Sequence, residues 1–600
     1  TFRAFYTFGY NRDNTNTRSE QHYFPGNNYQ QRLYEEQNSN SDRKQNHYSE
    51  FSFSNSNDKW GEFRWNQLIT YNNNKDWQSL YIYNEENNLQ TSKSLMHYDN
   101  LNKNFHVKED ISYVNSITDR IGYTLESSVD INKGKNHSLR IDTLESSTTQ
   151  TYLTIPSKLR NTEWNGNAQL IYILNPENDT QISFDYSVKY ENGWKHQFAW
   201  NMLSPTNPQT DEANTCSYKI NNLTQKQEVS FHFFPFQKTS CDISAGLKET
   251  TLKRKEKEMD NYRKTFISPT VAISFVHTDI TKSWSAAYRL HNFAPNIVQL
   301  RPQIDNSNPY MLRSGNPNLK QSYLHSFLFN CNRMLGKHNH TIGVIINASI
   351  RQHSPVAKTT YYNAETYLSG LQYTAPAHSS LISFENVEGY WDIKGKLIWQ
   401  APIRSIKSKY ALSTGFNYEH NPYYIGENKT TTRTYDPSLE HFLLCNLTKR
   451  LKITISANTH YVHSINTENY TSKTFYQTAG ATFDISQICK YFYLSSHYNF
   501  IFSRDYGINK EINRNHTLNL NIGCKVLNRK GDISIAAYDL LNSHRTFNSQ
   551  MYSNYIQNTW TNYYGRFFTI NFAYRFGKVK SNYEGTTNDG SIREYRPMSD

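Results

Sequence analysis

The chain has 600 residues, and its 64 Lys and Arg against 52 Asp and Glu give a formal net charge of +12. Hydrophobic residues make up 36% of the chain and aromatic residues 15%; soluble domains usually have about 45–50% apolar residues, whereas disordered chains are poor in aromatics. No stretch approaches the roughly 18 apolar residues of a membrane helix, which excludes an α-helical membrane protein. A transmembrane β-barrel, apolar outside and wet inside, reconciles these numbers.

Alternation of apolar and polar residues is the main pattern along the chain. Clear examples occur at 121–131, 182–190, 341–351, 452–461 and 517–526. Successive side chains of a strand point to opposite faces, so each segment predicts a strand with one apolar and one polar face. The strands are about ten residues long, which is enough to cross a bilayer when tilted. A sheet within lipid must close, because no backbone edge can stay unpaired there.

Short and long connections alternate between these strands. Short turns are predicted at 55–60, 118–120, 175–179, 278–282, 448–450 and 528–532. Long polar loops are predicted at 13–45, 73–105, 132–160, 192–226, 291–320, 352–389, 420–437 and 543–563. Short periplasmic turns and long extracellular loops are typical of outer-membrane barrels. We therefore predict an all-β fold, a closed antiparallel transmembrane β-barrel of about 22 strands, over residues 1–577, followed by a polar C-terminal tail at 578–600.

The last predicted strand has a strongly apolar face. Its members are Phe568, Ile570, Phe572, Tyr574 and Phe576. We expect this face to contact the membrane, with its aromatic rings in the interfacial girdle.

Three motifs resemble Bacteroidota-type TonB-dependent receptors. The first is the barrel terminus, with Asp-Leu-Leu-Asn at 539–542, Gly-Arg-Phe-Phe at 565–568 and Tyr-Arg-Phe-Gly at 574–577. The second runs from Arg301-Pro302 to Gly-Asn-Pro-Asn-Leu-Lys at 315–320, a segment that in this family opens a strand entered from the outer loop. The third, Asn46-His47 before a strand, is weaker. The tail after Gly577 departs from the family, whose final strand normally lies near the chain end as the signal for the barrel assembly machinery.

The resemblance implies an integral protein of the Gram-negative outer membrane that takes up a scarce solute. It also implies an upstream plug domain and a segment that contacts the TonB complex, and we expect both to precede this chain because residues 1–8 already have the pattern of a strand. The plausible solutes are a metal chelate, a peptide or a glycan, and the sequence does not choose among them.

Tyrosine-rich long loops are the predicted ligand-binding surface. The candidates are Tyr361, Tyr362, Tyr367, Tyr373, Arg545, Tyr555 and Trp560. Aromatic faces with a few hydrogen-bonding groups make adaptable binding surfaces. The alternative is that tyrosine is simply this chain's preferred loop residue.

No enzymatic, cofactor, metal or nucleic-acid site is predicted. The six cysteines are far apart and form no Cys-x-x-Cys pair. The most basic run, Lys-Arg-Lys-Glu-Lys-Glu at 253–258, is broken by acidic residues and is interpreted as a solvated loop.

Two other functions remain open for a barrel of this kind. One is a passive channel or structural barrel without a plug, which would conduct steadily and would not need TonB. The other is an adhesin, whose loops bind a partner while nothing crosses the membrane.

Overall fold

The computed structural model describes residues 2–23, 32–57, 61–86, 89–144, 150–201, 209–210, 215–256, 261–297, 299–306, 311–336, 339–467, 470–489, 491–506, 512–527, 530–543, 545–551, 555–562 and 565–574. These residues form 31 strands and one 3-10 helix, Arg404–Ile406. Within them, no helix has both the length and the apolar character needed to cross a membrane.

The strands in chain order are β1 (Phe2–Tyr23), β2 (Arg32–Asn57), β3 (Gly61–Glu86), β4 (Leu89–Thr118), β5 (Ile121–Leu144), β6 (Gln150–Asn175), β7 (Thr180–Gln197), β8 (Trp200–Asn201), β9 (Gln209–Thr210), β10 (Cys216–Phe236), β11 (Thr239–Glu256), β12 (Tyr262–Thr278), β13 (Lys282–Phe293), β14 (Met311–Arg313), β15 (Ser322–Leu335) and β16 (His340–Gln352). They continue with β17 (Ser354–Tyr362), β18 (Thr366–Leu368), β19 (Tyr373–Ala375), β20 (Ser379–Val387), β21 (Tyr390–Ile403), β22 (Ser408–Ile425), β23 (Asn428–Asn446), β24 (Leu451–Asn466), β25 (Thr471–Ile485), β26 (Phe492–Asp505), β27 (Ile512–Val526), β28 (Gly531–Tyr538), β29 (Arg545–Met551), β30 (Tyr555–Asn562) and β31 (Phe567–Tyr574).

Antiparallel pairing between neighbours builds the barrel wall. In the described residues, 22 strands pair in succession: β1–β7, β10–β13, β15, β16, β21–β28 and β31. Near the outer rim the two ends of the sheet come together, because β30, which precedes β31 in the chain, pairs with β1 from Asn16↔Asn562 to Tyr23↔Tyr555. The predicted antiparallel barrel of about 22 strands is confirmed, and its closure at the level of β31 stays a prediction.

The two rims of the barrel differ in their connections. The turns after β2, β4, β6, β10, β12, β15, β21, β23, β25 and β27 are all short, and they share one rim with Phe2 and Tyr574. The turns predicted at 118–120, 175–179, 278–282 and 448–450 are confirmed, and residues 58–60 and 528–529 of the other two lie outside the described residues. We call this the inner rim and the opposite one the outer mouth.

Several segments predicted as long loops are strands instead. The described residues of the predicted loops at 13–45, 73–105 and 132–160 continue the β1–β6 sheet, in which β4 alone has 30 residues. At about 3.3 Å per residue these strands far exceed the roughly 25 Å apolar band of a bilayer. Above that band both faces meet water, so the alternation that identifies membrane strands disappears. The prediction was wrong there for this reason.

Other predicted loops also contain strands. Segment 192–226 includes the end of β7 and the start of β10, segment 420–437 is a tight β22–β23 hairpin, and segment 543–563 holds the β29–β30 hairpin. Among the described residues of 291–320, most of the segment after Phe293 is irregular, whereas 352–389 consists of the strands β17–β20 with short connections.

The apolar face of β31 is exposed. Phe568 and Phe572 are each 63% exposed and Ile570 is 77% exposed, and they pair across with Ala537, Ile533 and Ile535 of β28. Tyr574 lies on the same face, whereas Phe576 is outside the described residues.

Candidate functional site at the outer mouth

Two outer connections fold over the mouth of the barrel. The first, the strap, is residues 294–321 between β13 and β15, and the second, the hairpin, is β17–β20 between β16 and β21. They join each other through the parallel pairing of β14 with β20, at Leu312↔Leu381. The hairpin also joins the wall through Lys358↔Tyr424, where β17 runs parallel to β22. Strap and hairpin together are called the cap below.

Three apolar clusters hold the cap, two of them against distant parts of the wall and one between its own two connections. One lies between the strap and β11–β12, one between the strap and the hairpin tip, and one between the cap and β1, β3 and β4. Their buried members are, in this order, Leu252, Phe266, Ile297, Leu300 and Leu319; Ile304, Leu312 and Ala375; and Tyr23, Leu80, Ile82 and Met96. Because the first and third clusters are several strands apart in the wall, the cap extends across the mouth.

The Gly-Asn-Pro motif fixes the strap in place. A Cβ at Gly315 would lie 2.5 Å from the carbonyl oxygen of Arg301 and 2.6 Å from its backbone nitrogen, so no side chain fits there. The Gly315 N–H donates to that oxygen at 2.8 Å, and the Asn316 side-chain amide donates to the Phe384 carbonyl at 2.9 Å. The motif thus ties the strap both to itself and to β20, just before β15 begins at Ser322.

A buried ion cluster joins the strap to the wall. The Arg301 guanidinium donates two hydrogen bonds to Glu256 Oε1, from Nη2 at 2.5 Å and from Nε at 3.1 Å. Arg254 approaches the other carboxylate oxygen, with its Nε 3.5 Å from Glu256 Oε2. The side chains of Arg254 and Glu256 are only 4% and 6% exposed. Two guanidinium groups against one carboxylate leave one positive charge in a site shielded from water.

Arg254 is the unusual member of this cluster. Its Nη1 has no hydrogen-bond partner within the described structure, although the side chain is buried. Burial lowers the pKa of Arg254 from its ordinary value and raises the pKa of the neighbouring Tyr218. Arg301 also stacks over Tyr218, with Cζ 5.1 Å from the ring centroid. A buried cation with an unused donor favours an anionic group close by.

The sequence did not reveal this cluster. The run at 253–258 was interpreted as a solvated loop, but its first four residues are the outer end of β11, where Arg254 and Glu256 point inward while Lys253 and Lys255 are exposed. The available signal was the two-residue period of a strand. Even in a run made up of charged residues, every second side chain lies on the same face, so Arg254 and Glu256 share one face and Lys253 and Lys255 share the other.

Two of the predicted ligand-binding tyrosines meet in the third apolar cluster. The ring of Tyr361 lies 5.5 Å from the ring of Tyr23. The ring of Tyr555, at the start of β30, lies 5.0 Å from the same Tyr23 ring. The hairpin and the last outer loop are therefore brought together around Tyr23, a residue that the sequence analysis did not single out.

The remaining predicted ligand residues occupy different positions. Tyr362 and Tyr373 pack against the second cluster, whereas Tyr367 at the hairpin tip is 65% exposed. Arg545 pairs through its backbone with Asn562, and the Trp560 ring lies 5.5 Å from Arg18 Cζ.

Replacing Tyr361 with alanine is expected to loosen the hairpin. The substitution removes an edge-to-face contact with Tyr23 and the packing around it, which we expect to lower the free energy of local opening by about 2 kcal/mol. Hydrogen exchange of the β17 and β20 amides measures this change. Tyr367→Ala is the matched control, because the exposed Tyr367 ring should leave exchange unchanged. Equal protection in wild type and the Tyr361 variant would contradict the packing role.

The described residues contain no group of three or more His, Cys, Asp or Glu that could hold a metal ion. Their six cysteines are free thiols, of which Cys216, Cys241 and Cys445 are buried.

Comparisons with known proteins find several similar structures and one matching family. The copper transporter OprC is 9% identical, and the match covers 93% of this chain and 81% of that chain with a TM-score of 0.44. The ferric-catecholate import receptor Fiu from K12 E. coli is 8% identical, with 92% of this chain and 82% of that chain covered and a TM-score of 0.42. The ferric yersiniabactin uptake receptor FyuA from Yersinia pestis is 8% identical, with 94% of this chain and 80% of that chain covered and a TM-score of 0.42. A search of curated proteins gives no significant match. The sequence profile of the outer membrane protein beta-barrel family matches residues 117–574, from the end of β4 to the end of β31. The chain is therefore an outer-membrane barrel and belongs to this family.

Proposed function

We propose that this chain is the barrel of a TonB-dependent receptor that takes up a scarce solute across the outer membrane. The observation that carries the proposal is the cap, which lies across the outer mouth of a 22-strand barrel and is fastened to the wall by two apolar clusters. A porin needs an open mouth, whereas a receptor must bind its solute there before passing it inward.

The size of the barrel supports a gated path. Barrels with about 22 strands enclose a lumen wide enough to need a plug. We propose that a plug domain preceding Thr1 fills this lumen, that a segment before the plug contacts the TonB complex, and that the barrel assembly machinery inserts the protein. The inner rim is suited to this arrangement, because β1 begins there and its short turns leave the lumen accessible from the periplasm.

The ion cluster suggests which kind of solute fits. We propose a solute with an anionic group, as a metal chelate or an acidic peptide or glycan would have, drawn toward Arg254 and Arg301 when the cap moves. Neutralising the surplus positive charge would repay part of the cost of burying it. No catalytic role is proposed for any residue.

The predicted tyrosines take two proposed roles. Tyr367 makes first contact with the solute, supported by its exposure at the hairpin tip. Tyr361, Tyr362, Tyr373, Tyr555 and Trp560 frame the cap and, with Arg545, reach the solute as the cap opens. On β31, we propose that Phe568, Ile570, Phe572, Tyr574 and Phe576 face the lipid.

Tyr367→Ala is expected to weaken solute capture by about fivefold to tenfold without changing barrel stability, since a single exposed aromatic contact contributes about 1 kcal/mol. The measurement is the concentration of solute that gives half-maximal uptake in cells. Tyr410, in the wall near the inner rim, provides the control substitution Tyr410→Phe. A Tyr367 variant with an unchanged half-maximal concentration would remove Tyr367 from the binding surface.

Growth on limiting solutes tests the proposed function. A strain without this protein is grown on scarce metal chelates, peptides and glycans, each with and without the TonB complex. We expect one class of solute to require both the protein and TonB. Uptake that needs the protein but not TonB would indicate the passive channel. Normal uptake of every solute, with loss of surface attachment, would indicate the adhesin.

A further inference from the structure

A row of exposed cations crosses the outside of the wall above the membrane band. Six neighbouring strands, β1–β6, contribute one each: Arg12, Arg43, Lys75, Lys103, Lys135 and Lys158. All six are exposed, and they are called the basic belt below.

Strand register places the belt on one continuous surface. Arg12 pairs with Arg43 and Arg43 with Lys75, and further along Lys103 pairs with Lys135 and Lys135 with Lys158. Side chains directly opposite in an antiparallel pair point to the same face about 5 Å apart. The two runs join because Lys75 pairs with Leu101, two residues from Lys103 on the same face.

This surface faces away from the lumen. On β5, Lys135 shares its face with Leu125, which is 48% exposed, and on β6 Lys158 shares its face with Leu170, also 48% exposed. These apolar side chains lie between the belt and the inner rim, so the outer face of β5 and of β6 is apolar near the inner rim and basic farther up the strand.

The height of the belt matches the outer edge of the bilayer. Lys75 is 14 residues from Gly61 at the inner end of β3, and Lys135 is 14 residues from Ile121 at the inner end of β5. At about 3.3 Å per residue and the usual strand tilt, 14 residues rise about 35 Å. The apolar band of an outer-membrane barrel is roughly 25 Å tall, so the belt lies just beyond it. The ring centroid of Trp77 lies 5.1 Å from Arg43 Cζ and 4.6 Å from Lys75 Nζ. Tryptophan is one of the residues that favour the membrane–water interface.

The belt is poorly neutralised by the protein itself. Lys75 lies 3.9 Å from Asp99, and for the other five cations the described part of the chain offers no carboxylate within ion-pair distance. A second outward row directly below adds Lys133 opposite Arg160. Like charges at such spacing repel each other, which an anionic partner at the same height would relieve.

We propose that the basic belt binds phosphate-bearing headgroups of the outer leaflet. Lys and Arg form short, charge-assisted hydrogen bonds with phosphate oxygens, and a lipid headgroup, unlike a soluble protein or nucleic acid, is held at this height by its own acyl chains beside the exposed leucines. The interaction fixes the barrel's depth and gathers anionic lipid beside β1–β6.

Lipid titration of the purified full-length protein in nonionic detergent tests this proposal. The probe is phosphatidic acid, compared with phosphatidylcholine of the same acyl chains, and bound lipid is counted by native mass spectrometry. The belt variant is Lys103→Gln, Lys135→Gln and Lys158→Gln. The control variant, Arg289→Gln, Lys394→Gln and Lys409→Gln, removes three exposed cations from the lumen face, because each is next in sequence to a residue of the apolar outer face, Leu290, Ile393 and Tyr410 respectively.

We expect the belt variant to bind phosphatidic acid at least about tenfold more weakly, because each cation near an anionic surface contributes measurably to binding. The control should bind like wild type, and phosphatidylcholine should bind equally to all three. The heat-induced gel shift of intact barrels confirms that each variant is folded, and Lys135→Gln alone, expected to give a smaller loss, serves if the triple variant does not fold. Equal loss in the control, no loss in the belt variant, or complete displacement of phosphatidic acid by inorganic phosphate would overturn the proposal.

Discussion

Replacing Glu256 with alanine is expected to release the strap, with a loss of about 3–5 kcal/mol in the free energy of cap opening. Glu256 is the carboxylate between Arg254 and Arg301, and its removal leaves two guanidinium groups side by side away from water. Their mutual repulsion and lost hydrogen bonds can be relieved only by moving Arg301 outward together with the strap. Hydrogen exchange of the strap amides and limited proteolysis of the intact barrel both report this movement.

Two variants make the result specific. Glu249→Ala removes an exposed carboxylate from the outward face of the same strand and should change neither exchange nor proteolysis. Glu256→Gln keeps the shape but not the charge, so we expect an intermediate effect. If Glu256→Ala left the strap as well protected as in wild type, the ion cluster would not be what fastens the cap to β11.

Gly315→Ala is expected to displace the strap through sterics alone. The added methyl group would meet the Arg301 backbone at 2.5–2.6 Å, and backbone atoms cannot swing aside as the end of a flexible side chain can. Overpacking of this kind costs about 1–3 kcal/mol, and more where the backbone cannot shift. Because the same backbone holds Arg301 against Glu256, we also expect solute uptake to fall by at least tenfold.

Gly370→Ala is the control for that substitution. Gly370 belongs to the same cap, and a Cβ there meets nothing within 4 Å. Uptake and strap protection should therefore stay at wild-type values. A Gly315 variant with the uptake and exchange of the Gly370 variant would show that the tight turn at the Gly-Asn-Pro motif does not position the cap.

The parts of the fold that lipid constrains were predictable from sequence. Segments such as 121–131 and 517–526 alternate strictly because one face meets hydrocarbon and the other meets water, and the structure places strands at both. The outer halves of β1–β6 have water on both faces. There, polar residues such as Asn and Ser occupy both faces, so apolar and polar residues no longer alternate. The sequence then predicts a loop although the backbone is an extended strand.

The cap was only partly predictable, for a different reason. The motif at 315–320 was visible because glycine and proline restrict the backbone locally. The partnership of Arg301 with Glu256 joins residues 45 positions apart and depends on how the strap lies across the mouth. Likewise, Tyr361 and Tyr367 look equivalent in sequence, yet one packs against Tyr23 and the other is 65% exposed. Which tyrosine is free to meet a solute depends on the hairpin's contacts.

The intact mass and N-terminal sequence of the protein isolated from outer membranes test the gated-receptor account most directly. The account predicts a chain longer than this one, with an upstream domain on the order of 100–150 residues that fills the lumen. A mature protein that begins at Thr1 and has the mass of these 600 residues alone would contradict it, because the cap would then be the barrel's sole gate and TonB would have no plug to move.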